Sequence, residues 1–230
     1  MAKLKVQLHL HSKEDPIDNI KLTSFQLIDL AAKLNYDAMA ITCHNVLIFT
    51  DELKNYAAEK RILLIPGIEK TISKKHVVII NANLEAQKIR DFNDLRHYRE
   101  NNKDCLILAA HPYFPSWTSL GKYFDKHHDL FDAVEYSWFH SQKLNWFNKK
   151  AQKSAEKYRL PVLATSDCHL WKYFDSSYSL IDAEKNTESI INNIKNGKID
   201  IVSHNVKAWK LPFLFLKITA LEMIKKITLK

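Results

Sequence analysis

Glycine and proline are scarce in this chain of 230 residues, with three of the first and six of the second. That scarcity leaves no flexible linker and no break in composition. One domain is expected, in the size range of single α/β barrels. Cysteine is equally rare, and Cys43, Cys105 and Cys168 are widely spaced with no Cys-x-x-Cys pair. Neither a disulfide framework nor a thiolate zinc site is therefore indicated. The chain also lacks any run of ~18 uninterrupted apolar residues, so no spanning helix is expected. Its first residues lack the apolar run of a signal peptide, and a cytoplasmic location is expected.

Hydrophobic residues are plentiful, at 46%, enough to bury a sizeable core. The formal net charge is +8, a field that favours phosphorylated metabolites, nucleic acid or a membrane surface. The lysines are scattered, so a solvated lysine-rich surface accounts for them equally well.

Short β-branched or aliphatic runs alternate with longer helical patterns. Strands are expected at Lys5–Leu10, Ala38–Thr42, Ile62–Pro66, His76–Ile80, Cys105–Ala110, Ala133–Tyr136 and Pro161–Thr165. Two shorter ones fall at Tyr178–Ile181 and Ile199–Val202. Helical patterns cover Thr23–Leu34, Thr50–Lys60, Asp91–Asn101, Gln142–Tyr158 and Thr187–Asn196. Such alternation implies βα units around a largely parallel sheet, closed into a barrel, with chemistry at the carboxyl ends of the strands.

Reactive side chains do fall at those ends. His9 and His11 close the first strand with both rings on one face of an extended chain, and Asp15 follows four residues after His11. His44 lies just past the second strand, and Glu69 just past the third. His76 opens the fourth run, His111 ends the fifth, and Asp167 and His169 follow the seventh. A lone histidine after a strand is more often structural than a ligand. The joint pattern decides, because a core has no reason to place polar groups at one end of every strand. Imidazole with carboxylate and without thiolate suits Zn²⁺, Mn²⁺ or iron. Nine such residues are enough for two or three ions, and a carboxylate such as Glu69 can bridge two of them.

At these motifs the sequence resembles the polymerase and histidinol phosphatase (PHP) family of metallo-phosphoesterases. The likeness runs over roughly residues 4 to 202. It rests on His-x-His-Ser, Thr-x-His, Pro-Gly-Ile-Glu, the internal His76, Ala-His-Pro and Ser-Asp-x-His, in that order. It implies an α/β fold, a distorted (β/α)7 barrel of TIM-barrel type. Carried over by position, His9, His11, Glu69 and Asp167 would hold one ion, and Glu69 would bridge to a second at His76 and His111. Asp15, His44 and His169 would hold a third, with Asp18 as the alternative to Asp15. The implied chemistry is attack of a metal-bridging hydroxide on phosphorus, with Glu69, Asp167 and His169 at its centre. Cys43 stands where the family commonly has an aspartate, which leaves open what orients His44.

Beyond the ligands, Lys13, Glu135 and Ser137 are candidate substrate contacts by position, against the plainer readings of a solvated loop lysine and a hydrogen-bond network. The aromatics Tyr113, Phe114, Trp117, Trp138, Phe139 and Trp171 follow the strand ends, as do Tyr173 and Phe174. They suit base stacking, an apolar pocket lid or plain core. Residues 1–204 are expected to form the hydrolase domain. Residues 205–230 are expected to form a basic amphipathic helix, packed on the barrel, docked on a partner or laid on a membrane surface.

Three functions compete. The first is hydrolysis of a phosphomonoester or nucleotide with two or three divalent ions. The second keeps the chemistry but acts on the 5′ end of short RNA or DNA. The third is a metal-bearing interaction module without catalysis. Amide or C–N hydrolysis shares the ligand logic and is set aside only by the resemblance.

Overall fold

The computed structural model describes residues 3–216. The first half runs β1 (Leu4–Gln7), α1 (Ser24–Lys33), β2 (Ala38–Ile41), α2 (Asp51–Glu59), β3 (Leu63–Ile72) and β4 (Lys75–Ile80). It continues with α3 (Phe92–Asn101), β5 (Leu106–Ala109), α4 (Lys122–Lys126), β6 (Ala133–Ser137), α5 (Trp146–Tyr158) and β7 (Val162–Thr165). Last come β8 (Ser177–Ile181), α6 (Thr187–Lys195) and β9 (Ile199–Ser203). The expected elements are present in order, but the short helix α4 has no counterpart among them, and β3 runs on to Ile72, so that Glu69 lies within the strand.

The helices start where the side chains cap them. Thr23 accepts from Gln26 N while Gln26 returns a bond to Thr23 N, a reciprocal capping box that opens α1. Asp91 accepts from the amides of Asn93 and Asp94 to open α3.

All nine strands form one sheet, in the order β7-β6-β5-β4-β3-β2-β1-β8-β9. The sheet curls until β7 approaches β1, giving a nearly closed, distorted α/β barrel. Side chains do most of the closing. Ser166 N donates to Gln7 Oε1 at 3.0 Å, Ser179 Oγ bridges both backbone groups of Ala164, and a single bridge joins Leu10 to Cys168. Every strand from β1 to β8 adds apolar side chains to a central cluster, among them Val6, Ala40, Ile65, Val78, Leu108 and Leu163. The helices cover the outside: α1 and α2 pack in one cluster, and α3 and α5 in another.

One expectation needs correction. The strand and helix alternation implied a largely parallel sheet, but β3 and β4 form a hairpin. Ser73 and Lys74 turn the chain with φ of 48° and 67°, the two left-handed positions of a tight two-residue loop. Strand β4 therefore runs antiparallel to both β3 and β5. The reversal has a functional consequence, because the start of β4 now lies beside the end of β3 and brings His76 to the mouth.

Gly67 makes the approach to that mouth possible. A Cβ at Gly67 would lie 2.8 Å from Thr42 Cγ2 and 3.1 Å from Ala40 Cβ, across the β2–β3 pairing. Gly67→Ala is expected to cost ~1–3 kcal/mol by overpacking. Chemical denaturation of the pure variant checks this, and unchanged stability would contradict the packing described.

Among the described residues no helix is long and apolar enough to cross a membrane. The expected C-terminal helix falls partly on residues 217–230, which lie outside the described residues.

Candidate metal centre

Six imidazoles and four carboxylates from six separate chain segments meet at the mouth, with a fifth carboxylate, Glu135, behind them. Glu69 is at the middle of them, 1% exposed. Its Oε2 lies 3.3 Å from His9 Nε2, 3.3 Å from His11 Nε2 and 3.0 Å from His44 Nε2. Its Oε1 lies 2.9 Å from His76 Nδ1 and 3.3 Å from His111 Nε2. The two oxygens of one carboxylate thus face two different groups of imidazoles, which is the disposition a bridging ligand needs.

Asp167 completes the first group, with Oδ1 3.4 Å from His9 Nε2 and 3.1 Å from His11 Nε2. These separations fit an ion. Four donors set tetrahedrally ~2.0–2.1 Å from a zinc ion stand ~3.3–3.4 Å from each other. His9 Nε2 adds a second sign, being fully buried without a hydrogen bond although it faces two carboxylates. A buried nitrogen left without a partner is costly unless something else binds it.

The residues behind the donors hold them in place. Glu135 Oε1 lies 2.8 Å from His9 Nδ1, so that ring presents Nε2 to the cluster. The same carboxylate accepts from Thr165 Oγ1 and from the backbone amide of His111. Glu135 is therefore a buried strut behind His9. It does not reach the mouth as a substrate contact, contrary to the expectation from its place at the end of β6. Ser137 departs in the same way: it is buried, and its backbone is held by both ends of the Asn148 amide. Lys13 has an exposed side chain. Removing the strut with Glu135→Ala is expected to weaken metal binding by about 10–100-fold. Calorimetric titration with Mn²⁺ checks this, and an unchanged Kd would contradict the role.

Asp15 and Asp18 share the third group. Asp15 Oδ2 accepts from His44 N at 2.8 Å and lies 2.9 Å from both His11 Nδ1 and His44 Nδ1. Its Oδ1 accepts from the amides of Ile17 and Asp18. Asp18 Oδ2 lies 2.9 Å from His169 Nε2 and 3.3 Å from His44 Nδ1. Asp15 thus answers the question that Cys43 raised: it orients His44, while the buried Cys43 thiol packs 3.2 Å from Ser12 Oγ. Burial pushes that thiol up to about 11 and the Cys168 thiol up to about 12, so neither is an available thiolate.

Protonation follows the crowding of charge. Burial pulls His44 and His169 down, but carboxylates outweigh it, chiefly Glu69 for His44 and Asp167 for His169. Both rings end up at about 9. Burial alone would raise the carboxyls of Glu69 and Asp167, yet the surrounding imidazoles hold both well below their usual range. Strain gathers here too. His111 and Asp167 have φ of 28° and 41°, left-handed values that cost a non-glycine residue ~1–3 kcal/mol each.

Of the aromatics that follow the strand ends, Tyr113, Trp138, Phe139 and Phe174 are buried core. Trp117 and Trp171 are exposed.

A sequence model of a family described as PHP-associated matches residues 145–199. The fold is that of a two-domain protein from Bacteroides vulgatus containing a predicted PHP-like metal-dependent phosphoesterase. The two share 17% identity over 94% of this chain and 70% of that one, at a TM-score of 0.69. The fold is therefore of the PHP type. PsfC from Pseudomonas syringae has the same fold at 13% identity, covering all of both chains, with a TM-score of 0.63. So does a lesion-specific endonuclease from Pyrococcus furiosus, at 18% identity and a TM-score of 0.61, over 86% of this chain and 57% of that protein. No curated protein matches in sequence.

Proposed function

We propose that this PHP-type protein hydrolyses phosphate esters with two or three divalent ions. The observation that carries the reading is Glu69, whose two oxygens face separate imidazole groups within 3.3 Å. His9, His11, Glu69 and Asp167 would hold one ion, and Glu69, His76 and His111 a second. For a third, Asp18 with His44 and His169 fits better than Asp15, whose oxygens already accept from backbone amides and two rings. Ions held there act as Lewis acids toward phosphoryl oxygens and lower the pKa of water. The buried struts Glu135 and Asp15 keep His9, His11 and His44 aimed. Asp167, His169 and His76 are the partly exposed members, with 20%, 15% and 12% of their side chains open, and Asp167 and His169 would meet the phosphate.

The test is turnover of a chromogenic phosphomonoester by the metal-loaded protein. Activity that needs divalent metal and disappears in His11→Ala supports the reading, and a metal-replete protein inert on a broad phosphoester panel sinks it.

A second reading, a nucleotide or the end of a short nucleic acid as substrate, is favoured by Trp117. This residue is 94% exposed. The loop beneath is pinned beside the ligands, with His76 N donating to Thr118 O and Lys75 Nζ to Trp117 O. Stacking on such a ring is worth ~1–3 kcal/mol per base. Trp117→Ala is then expected to raise KM for a nucleotide by about tenfold or more and to leave glycerol phosphate unaffected. Equal effects on both substrates would remove the second reading and spare the first.

A further inference from the structure

The segment after β9 crosses the loops at the mouth and is fastened to them. Val206 N donates to His140 O at 2.8 Å, and His140 Nε2 lies 2.8 Å from Ser203 Oγ. Val206, Leu211 and Leu214 are buried in a cluster with Trp138 and Phe139. Residues 211–216 are helical, so Leu211 and Leu214, three apart, share the docked face. Three large apolar side chains of this strap nevertheless face outward. Phe213 is 76% exposed, Leu216 67% and Trp209 69%. The core cannot claim these three, because the opposite face already fills it. Trp171 stands half exposed beside Leu170, which packs on the same cluster.

Charge says what the apolar face meets. From position 207 onward the sequence carries Lys207, Lys210, Lys217, Lys225, Lys226 and Lys230 against Glu222 alone. A second copy of the chain would bring like charge against like. Nucleic acid would match the charge but has little use for Leu216, which offers no ring to stack on. An anionic bilayer matches both features, since tryptophan favours the headgroup level and lysines meet the negative surface potential. We propose that this strap is a membrane-surface contact, with Trp209, Phe213 and Leu216 entering the headgroup boundary of a bilayer that contains anionic lipid. Docked this way, the loops that carry His111, Asp167 and His169 sit close to the bilayer. The inference is independent of the reaction at the metal centre.

Co-sedimentation of the full chain with vesicles tests it. Phosphatidylcholine vesicles containing phosphatidylserine are expected to bind the protein at least about tenfold more tightly than phosphatidylcholine alone, with weakening in high salt. The double variant Phe213→Glu, Leu216→Glu is expected to lose about tenfold or more of that binding, with its circular dichroism and phosphatase assay unchanged. Lys207→Gln with Lys210→Gln, which leaves the apolar face intact, is expected to reduce only the preference for phosphatidylserine. Two results would overturn the proposal: no vesicle binding by the wild type, or sedimentation equilibrium showing a dimer that the glutamate variant abolishes. A metal-loaded wild type that binds these vesicles but turns over no phosphoester would count against the proposed function and leave this inference standing.

Discussion

Replacing Glu69 by glutamine is expected to lower kcat/KM on a phosphomonoester by about a thousandfold or more, with little change in fold. The amide keeps the volume and loses the charge. Its NH₂ group can only donate, so at least one of the two imidazole groups loses its shared acceptor. A metal ion contributes several kcal/mol of charge stabilisation in such reactions, and each ~1.4 kcal/mol is tenfold in rate. Metal content should fall in the same variant, because both the first and second groups use this carboxylate. Steady-state kinetics beside elemental analysis checks both points. Retained activity with full metal content would show that Glu69 is a packing residue and no bridge.

A second large effect is expected with pH. His44 and His169 stand at about 9 in the metal-free protein, above the ~6.5 of an unfolded histidine. A group raised on folding adds stability that is fully present below its unfolded value and is lost as pH rises through the folded value. The metal-free protein should therefore lose stability between about pH 6.5 and 9. Metal binding needs the neutral ring and must expel those protons, so affinity should rise over the same interval. Thermal melts with and without chelator should diverge as pH increases. Calorimetry in buffers of different ionisation enthalpy should show proton release. Parallel melting curves and no proton release would refute this account of the cluster.

Much of the fold was legible because the period of each segment was clear. Thr23–Leu34 and Thr187–Asn196 announced helices, and runs such as KHVVII announced strands. Direction was not legible, since periodicity says that residues 75–80 are extended but not which way they run. The turn at Ser73 and Lys74 lacks the glycine or asparagine that usually marks such a hairpin. His76 nevertheless stood out as reactive, and its place at the start of a strand makes sense only once β4 is reversed.

The donors themselves could be found in the sequence because they lie one by one at strand ends. Their supports could not. Glu135 and Ser137 occupy the same kind of position as Glu69, and only the contacts show that Glu135 turns inward behind His9. Asp15 and Asp18 are three residues apart in one loop, so spacing alone left both open. The backbone turn that ties Asp15 to the amides of Ile17 and Asp18 divides their tasks. A sequence names side chains that can bind, whereas the order of shells around an ion depends on which oxygen is already engaged.

The most direct measurement is anomalous diffraction at the manganese edge from crystals soaked in Mn²⁺. Peaks on both sides of the Glu69 carboxylate, one reached by His9, His11 and Asp167 and the other by His76 and His111, are the predicted result. A clean map with no peak among these side chains, in crystals that take up manganese elsewhere, would contradict it.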